Sequence, residues 1–464
     1  MNKTTELKID RLALDGDGIG RLAEGEKQGQ AAFVPYSLAD EKIKVKLLME
    51  KKNHSRWLPI KILEASPKRI KPACPSHFDA DSQKPWCGGC DWQMMSNESQ
   101  LQTKKQLLIE TLERIGGFPT PPVAETLNSP LIWRYRNKVQ VPFGMSSKGL
   151  VAGFFAPQSH NIIEFDDCLI QTEESVQLVK FVKEYAIKNK WPVYDEDRHR
   201  GWIRHLLVRN NEKGEAFLIL VTAQENFPDQ KIFTDEIHNR FPFVIGIHQN
   251  VQSAQSHVIL GYQWIHLAGA SYIEENVLGL KIRYSPGAFF QVNYGAAQKL
   301  YQKALDEMKI EPTDTVLDLY CGVGAPTLLA ARKAALVIGI EEVPQAIRDA
   351  KINAELNKLK NAEFIEGDVK QVLRESLKLE MLKSSQLIVL LDPPRSGCDP
   401  EVLKGILWFK PKRVVYISCH PATLARDLKI LSSHYDLKSS TPVDLFPQTS
   451  HIESVNRMEL KNGL

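Results

Sequence analysis

The sequence contains no long apolar run and few cysteines, and both absences narrow the class of protein. No stretch approaches the ~18 consecutive apolar residues that a membrane-spanning helix needs, and the start of the chain lacks the apolar segment of a secretory signal. Its 7 cysteines are an odd number with uneven spacing, which argues against a disulfide framework. We therefore expect a cytoplasmic protein without a membrane span.

Length and charge limit the organisation of the chain without identifying a partner. A chain of 464 residues predicts about two to four domains. The formal net charge of +3 is too small to indicate a nucleic-acid partner by itself. The charge is unevenly distributed, however, because residues 1–72 carry an excess of Lys and Arg while the rest of the chain is slightly acidic.

The N-terminal basic excess includes a regular row of lysines. In the segment 41–47, Lys42, Lys44 and Lys46 alternate with apolar residues, so a strand would place the lysines on one face and the apolar side chains towards a core. Several short strand-like runs precede it, which predicts a small β-barrel. The lysines can bind RNA phosphates, or they can form a solvated edge that discourages aggregation.

Four cysteines precede the C-terminal half of the chain. Cys87 and Cys90 form a C-x-x-C pair, Cys74 lies before it and Cys168 after it. Four thiolates can hold a 4Fe–4S cluster or a tetrahedral zinc ion, whereas a single C-x-x-C pair can also be a chance or redox dithiol.

The next segments predict a helix and then a sheet. Residues 97–117 are predicted to be helical and to end at Gly116-Gly117. The apolar stripe of this helix consists of Leu101, Leu108, Leu112 and Ile115. From about residue 131 to 280 the pattern is typical of antiparallel strands.

One strand-like segment in this region mixes aromatic and basic residues. Residues 133–138 contain Arg134, Arg136 and Lys138 beside a tryptophan and a tyrosine, as single-strand RNA platforms do. The alternative is an exposed strand whose tryptophan is buried in the core, and the residues alone favour that alternative.

The C-terminal third alternates strands and helices. Continuous apolar runs of this kind fit the buried strands of a parallel sheet flanked by helices, and such sheets bind ligands at the carboxyl ends of their strands. The four predicted strands are residues 315–319, 336–341, 387–392 and 413–418.

Polar and glycine residues follow these strands. Gly322 and Gly324 let the backbone approach a ligand closely, and Glu341 ends the second predicted strand. Asp368, in the segment 366–368, is expected at the end of a further strand between residues 341 and 387. A carboxylate at the second strand end can accept both hydroxyls of a ribose. The same features occur in NAD enzymes, so the pattern predicts a nucleoside-containing cofactor without choosing among such cofactors.

A thiol and a carboxylate complete the set of reactive groups. Cys419 follows the last predicted strand, where Arg395 and the start of the next helix are expected to lower its pKa. A thiolate can add to C6 of uracil and thereby activate C5, and Glu453 is then the candidate that removes the C5 proton. His451 is the rival base, and a buried, inert cysteine is the alternative for Cys419.

These segments together resemble the RNA (uracil-5)-methyltransferases that use S-adenosylmethionine, and the resemblance extends over most of the chain. The motifs that carry it are residues 318–324, 391–395, 417–421 and 450–454. The resemblance implies a Rossmann-like α/β methyltransferase domain at residues 281–464, a central, mainly antiparallel β domain at residues 67–280 and an RNA-binding, TRAM-like barrel at residues 1–66. The helix 97–117 is expected to pack on the methyltransferase domain.

The resemblance also assigns roles to residues. It implies Cys419 as the nucleophile and Glu453 as the base, a 4Fe–4S cluster on the four cysteines, and RNA contacts from Arg395 besides the basic residues above. The implied S-adenosylmethionine contacts are Gln291, Tyr320, Gly322, Gly324, Ala325, Glu341, Asp368 and Asp392.

The sequence departs from the family pattern at two places. The gap between Cys74 and Cys87 is longer than the usual spacing in the family, so a longer loop, residues 76–86, is expected over the same cluster. Ala325-Pro326 replaces a polar or small residue followed by phenylalanine, so only a backbone contact is expected from Ala325.

The substrate is expected to be 23S rRNA, because bacterial transfer-RNA enzymes of this family generally lack the barrel. Methylation of transfer RNA is the alternative, followed by a non-catalytic RNA-binding iron–sulfur protein. A DNA cytosine-5 enzyme shares the thiol chemistry but places its cysteine differently. The chain is expected to act as a monomer.

Overall fold

The computed structural model describes residues 3–23, 27–80, 82, 84–147, 149–227, 229–256, 258–376 and 386–463. It begins with a closed barrel of strand order β1-β2-β3-β5-β4. Its strands are β1 (Thr4–Leu12), β2 (Gly18–Arg21), β3 (Ala31–Val34), β4 (Lys42–Glu50) and β5 (His54–Glu64).

The barrel core explains the alternation in β4. Ile43 and Val45 are fully buried against Trp57, and the intervening Lys44 and Lys46 are exposed. The predicted small barrel is confirmed, and the lysines lie on its outer face because successive side chains of a strand point in opposite directions.

A long helix follows the cysteine-rich segment. Helix α1 (Asn97–Thr111) begins at the capping side chain of Ser96 and continues as a π turn (Leu112–Gly116) up to Gly117, whose φ of 74° suits glycine. The predicted apolar stripe is only partly correct. Ile115 is 42% exposed, whereas the polar Gln100 and Lys104 are fully buried.

Helix α1 is held against the C-terminal part of the chain. Lys104 Nζ lies 2.6 Å from a carboxylate oxygen of Asp444, and both side chains are fully buried. Removing one partner of such a pair typically costs about 3–5 kcal/mol, because the other charge stays buried without compensation. The ion pair therefore fixes which face of α1 is turned inwards.

The central region is a seven-stranded sheet of order β12-β11-β10-β9-β6-β7-β8. All its strand pairs are antiparallel except β10 with β11. Two helices pack on it through an aromatic-rich core. Its elements are β6 (Lys138–Ser146), β7 (Gly149–Phe155), β8 (Ile162–Glu164), α2 (Glu173–Lys188), β9 (Ile203–Asn210), β10 (Ala216–Thr222), α3 (Gln230–Arg240), β11 (Val244–Val251) and β12 (Gln263–Gly269).

A hairpin and a helix lead into the C-terminal sheet, which has the order β17-β16-β15-β18-β19-β21-β20. The connecting elements are β13 (Ile273–Val277), β14 (Leu280–Tyr284) and α4 (Tyr294–Met308). The C-terminal elements are β15 (Thr315–Leu319), α5 (Ala325–Ala331), β16 (Leu336–Glu341), α6 (Pro344–Leu356), β17 (Ala362–Glu366), α7 (Val369–Ser376), β18 (Leu387–Leu391), α8 (Pro400–Phe409), β19 (Arg413–Ser418), α9 (Pro421–Leu431), β20 (Tyr435–Val443) and β21 (Glu453–Leu460).

The four predicted strands of this sheet are confirmed, and they run parallel to one another. Strand β21 is antiparallel to both β19 and β20. Within the described residues, no helix has the length and apolar character needed to cross a bilayer.

Candidate active site

The carboxyl ends of the parallel strands bring the predicted residues together at one edge of the sheet. Glu341 ends β16, Asp392 follows β18 and Cys419 follows β19. The antiparallel pairing of Ser418 with Ser454 sets Cys419 beside Glu453, the first residue of β21. A thiol and a carboxylate thus become neighbours through backbone register.

The turn after β15 forms one side of this cleft. Tyr320, Gly322 and Gly324 all have positive φ angles, of 72°, 54° and 85°, so the chain reverses sharply there. A Cβ at Gly322 would meet nothing within 4 Å, which leaves open space above the turn. Glu341 lies over it and accepts hydrogen bonds from the backbone N–H groups of Gly322 (3.1 Å) and Val343 (3.0 Å).

Three further residues that were predicted to contact the cofactor lie around this turn. Asp368 is exposed, caps α7 through the N–H of Gln371 and lies close to Tyr320. Gln291 is buried just before α4. Ala325 is 2% exposed within the hydrophobic core, so only its backbone can face the turn.

Two carboxyls, the buried Asp318 and the half-buried Asp392, lie between the turn and the thiol. Burial raises the pKa of Asp318 to about 7, helped by the charge of Glu341 and opposed by a hydrogen bond from Thr327. Burial and the neighbouring Asp318 raise the pKa of Asp392 to about 7. A cationic ligand nearby would favour the ionised form of these carboxyls.

The thiol of Cys419 is half-buried, and its pKa is raised to about 11. Burial is the main cause, followed by the carboxyls of Glu453 and Asp392. Arg395 lowers the pKa as expected, but its effect is outweighed. In the free protein the thiol is therefore protonated at neutral pH, contrary to the expected lowering.

The two candidate bases differ in their environments. Glu453 is 3% exposed, and burial together with Asp392 raises the pKa of its carboxyl well above the ordinary value. Burial and nearby cations, Arg395 first among them, lower the pKa of His451 to about 4. Once its carboxyl has lost its proton, Glu453 is the stronger base of the two, and a stronger base removes a carbon-bound proton more readily, so the electrostatics favour Glu453.

Basic residues from separate segments reach the mouth of the cleft. Arg395 is exposed there and affects the pKa of Cys419, Glu453 and His451. Arg136 lies close enough to affect His451 as well. It reaches this position because the chain around Arg136 pairs with Asn293 at the start of α4.

The other predicted RNA contacts are dispersed. Arg134 pairs with Asp167 (2.6 Å) and donates to the carbonyl of Cys168, so it holds the loop that carries this cysteine. Burial and the nearby Arg209 and Arg136 lower the pKa of Lys138 to about 7. On the barrel, Lys42 pairs with Glu6 at 2.9 Å, while Lys44 and Lys46 have no ion pair among the described residues.

The four predicted cluster cysteines line one cavity of about 280 Å³ together with Gln93, His77 and Phe155. Burial raises the pKa of Cys87 to about 11 and that of Cys90 still further. Cys74 donates its backbone N–H to the side chain of Gln93. In the described part of the chain, no three His, Cys, Asp or Glu side chains converge closely enough to share a single metal ion.

Two residues at the site are not among the residues that the sequence predicts. Asp318 lies within a motif whose glycines attract attention, and its position near the end of a strand is the available signal. Tyr301 is buried on α4, hydrogen-bonds the side chain of Gln291 and lies near Asp392 and Glu453. In the sequence it cannot be distinguished from an ordinary core residue of an amphipathic helix.

Known proteins resemble this chain over nearly its whole length. Residues 260–460 match the family described as tRNA (Uracil-5-)-methyltransferase. An uncharacterised RNA methyltransferase of Halalkalibacterium halodurans is 40% identical, with 99% of this chain and 98% of that protein covered. One from Bacillus cereus is 38% identical, with 98% and 96% covered.

A solved structure shares the complete architecture. The tRNA (uracil-54, C5)-methyltransferase of Pyrococcus abyssi in complex with S-adenosyl-L-homocysteine has a TM-score of 0.75 and 26% identity to this chain. The match covers 98% of this chain and 100% of that one.

A parallel sheet with a glycine turn after β15 and acidic strand ends is suited to a nucleoside-containing cofactor, and the similarities in sequence and structure identify the chain as an S-adenosylmethionine-dependent methyltransferase. The similarities in sequence and structure go further. The chain belongs to the RNA (uracil-5)-methyltransferase family.

Proposed function

We propose that this chain methylates C5 of a uridine in RNA, and that 23S rRNA is the first candidate substrate. The observation that carries the proposal is the register of β19 and β21, which sets Cys419 beside Glu453 at the strand ends where such sheets bind ligands. The basic side chains at the mouth of the cleft, Arg136 and Arg395, support a polyanionic substrate.

The proposed reaction uses the thiol first and the carboxylate last. The thiol of Cys419 loses its proton to solvent, and the sulfur then adds to C6 of the uridine, which forms a C–S bond and gives C5 the electron pair of the former C5–C6 double bond. S-adenosylmethionine, when bound, would supply the methyl group at C5 and leave as S-adenosylhomocysteine. Glu453 then removes the C5 proton; the electron pair of that C–H bond restores the double bond and the C6–S bond breaks, which releases Cys419 as a thiolate.

The residues around the glycine turn fit the cofactor. Gly322 leaves room above the backbone, Glu341 can exchange its backbone partners for ribose hydroxyls, and Tyr320 and Asp368 flank the same space. A bound sulfonium would favour the ionised forms of the half-buried Asp392 and the buried Asp318. In this arrangement Gln291 lies beside Tyr301.

A 4Fe–4S cluster is proposed for the cysteine cavity because all four thiols line the same space. A single tetrahedral zinc ion is the alternative occupant of such a set of thiols. A cubane cluster spreads its ligands over four irons and fills space between them. We therefore assign Cys74, Cys87, Cys90 and Cys168 as ligands of a cluster that would join loops distant in sequence.

The RNA is proposed to extend from the barrel to the cleft. Residues 1–66 would supply affinity through Lys44 and Lys46, and the region 67–280 would contribute Arg136 and Lys138 to the entrance of the domain 281–464. A phosphate would give Lys138 the anionic partner that its cationic surroundings do not supply. All these residues belong to one chain, which is consistent with a monomeric enzyme.

Transfer RNA is the second candidate substrate. The solved Pyrococcus abyssi enzyme acts on uracil-54 of tRNA, and the match with it covers 98% of this chain. A chain of this architecture is therefore compatible with a transfer-RNA substrate, and the presence of the barrel alone does not select ribosomal RNA.

Mass mapping of 5-methyluridine separates the candidates. In a strain deleted for this gene, 5-methyluridine should disappear from a site in 23S rRNA and return when the intact gene is restored. Restoration with a Cys419→Ala gene should leave the site unmethylated. Loss of the mark from transfer RNA alone would replace the first substrate with the second, and no change in either RNA would refute the proposed function.

A further inference from the structure

The loop that precedes Glu453, residues 444–452, is held by side chains from remote parts of the chain. We name these residues the base loop. Tyr135 donates its hydroxyl proton to the carbonyl of Pro447 (2.9 Å), and the Asn293 side chain donates to the carbonyl of Leu445 (3.0 Å). The position of Glu453 thus depends on contacts outside its own strand.

Helix α1 makes the densest contact with this loop. Gln100 is fully buried; it accepts a hydrogen bond from the backbone N–H of Gln448 (2.9 Å) and donates to the side-chain oxygen of the same residue (3.0 Å). Gln448 has a φ of 70°, a left-handed conformation that a non-glycine residue adopts when its surroundings impose it. One helix turn later, Lys104 binds Asp444 and the carbonyl of Phe446.

The cysteine-rich segment contacts the same loop. Asp91, the residue after Cys90, accepts a hydrogen bond from the backbone N–H of Ser450 (3.0 Å). Trp92 donates its backbone N–H to the carbonyl of Gln448 (3.1 Å). Gln100 joins both sides, because its amide also donates to the carbonyl of Trp92 (3.1 Å).

A barrel turn closes the arrangement. A Cβ at Gly16 would lie 2.6 Å from a carboxylate oxygen of Asp91 and 2.7 Å from the Cβ of Ser450. The indole of Trp92 donates to the carbonyl of Gly16 (3.4 Å). The base loop is therefore contacted by the barrel, the cysteine segment and α1 around Gln448 and Ser450, a few residues before Glu453.

We propose that Gln100 and Asp91 are positioning residues that set the catalytic base by clamping the base loop. The inference rests on the proposed function of Glu453. Loss of the clamp should impair proton removal and spare the earlier addition of Cys419. The N-terminal half of the chain would thus contribute to catalysis as well as to RNA affinity.

The test compares Gln100→Leu with Gln106→Leu, a substitution of the same type on the exposed face of α1. The RNA is an unmodified 23S rRNA transcript or, if mass mapping selects it, an unmodified tRNA transcript. With S-adenosylmethionine, Gln100→Leu should release methylated RNA about tenfold to a hundredfold more slowly and accumulate a denaturation-resistant protein–RNA adduct. With a 5-fluorouridine transcript, from which no proton can be removed, its adduct should form at nearly the wild-type rate.

A second pair of variants tests the contact from the cysteine segment. It also tests the clamp independently if Gln100→Leu does not fold. Asp91→Ala should accumulate the adduct as Gln100→Leu does, while Asp91→Asn, which keeps an acceptor for Ser450, should release product nearly normally. Hydrogen exchange should be faster in residues 444–452 of Gln100→Leu and Asp91→Ala, and unchanged in Gln106→Leu.

The outcomes distinguish failure of the proposed function from failure of the clamp. If the wild type forms no adduct with fluorinated RNA, the proposed function fails, and hydrogen exchange still tests the clamp. If the wild type forms the adduct, two results would refute the clamp. The first is that Gln100→Leu and Asp91→Ala release product at the normal rate. The second is that these variants lose adduct formation as much as they lose product release.

Discussion

The active-site cleft and the cysteine cavity each gather reactive side chains, but the fold assembles them differently. In the cleft, Glu341, Asp392 and Cys419 follow strands of one sheet, and hydrogen-bonded register sets their spacing. In the cavity, Cys87 and Cys168 come from loops with no shared register. Strand register alone therefore positions the residues of the cleft, whereas the positions of the cysteine loops depend on the group that the cavity binds.

The sharpest test of the cleft is whether its two catalytic residues fail at different steps. Cys419→Ala should bind RNA but form no covalent adduct and transfer no methyl group. Glu453→Gln should still form the adduct and lose product release by about 10²–10⁴-fold, so that a denaturation-resistant band accumulates. Radiolabelled methyl transfer and denaturing gels measure both effects. An adduct with Cys419→Ala would show that the nucleophile is misassigned. The matched control is His451→Ala, which keeps both Cys419 and Glu453.

The structure around the cysteine cavity should depend on its bound cluster. Protein purified without oxygen should be brown and contain iron, and replacing Cys87 and Cys90 with serine should remove the iron and lower the unfolding temperature. Metal analysis and thermal unfolding check this result. Cys398→Ala, at a buried cysteine in the catalytic sheet's helical layer, should keep its iron. One tightly bound zinc and no iron would overturn the cluster assignment while leaving the ligands in place.

The raised pKa of Cys419 predicts a pH dependence that is specific to the cleft. Because the thiol is protonated in the free protein, adduct formation with 5-fluorouridine RNA should rise about tenfold per unit between pH 7 and pH 9. Glu453→Gln removes a carboxylate that raises this pKa, so its profile should move to lower pH. A rate that does not change over this interval would mean that the thiolate is already formed when RNA is bound.

The barrel lysines should give the smallest effect. Replacing Lys44 and Lys46 with glutamine should weaken RNA binding and reduce the slope of log affinity against log salt by about 0.7 for each phosphate that is no longer neutralised. Filter binding over a range of salt concentrations measures the slope. Lys42→Gln is the control, because Lys42 is already paired with Glu6. An unchanged slope would make the row a solvated edge.

Much of the cleft could be read from the sequence because periodic patterns and strand-end motifs are local. The runs around Asp392 and Cys419 predict both strands and the edge at which they meet. The electrostatics could not be read in the same way. Arg395 suggests a lowered thiol pKa, but the burial of Cys419 and its closeness to Glu453 depend on residues far apart in the chain.

Consecutive residues are enough to specify the parallel sheet, the small barrel, the family and the identity of the chemical groups, because hydrophobic periodicity and short motifs are local properties of a chain. Which of those groups are neighbours depends on the folded molecule. Gln100 and Lys104 have no signal in the sequence that separates them from solvent-facing residues, and yet both are buried. They are tolerated there because Gln448 and Asp444, more than three hundred residues away, supply the hydrogen bonds and the charge that their burial requires.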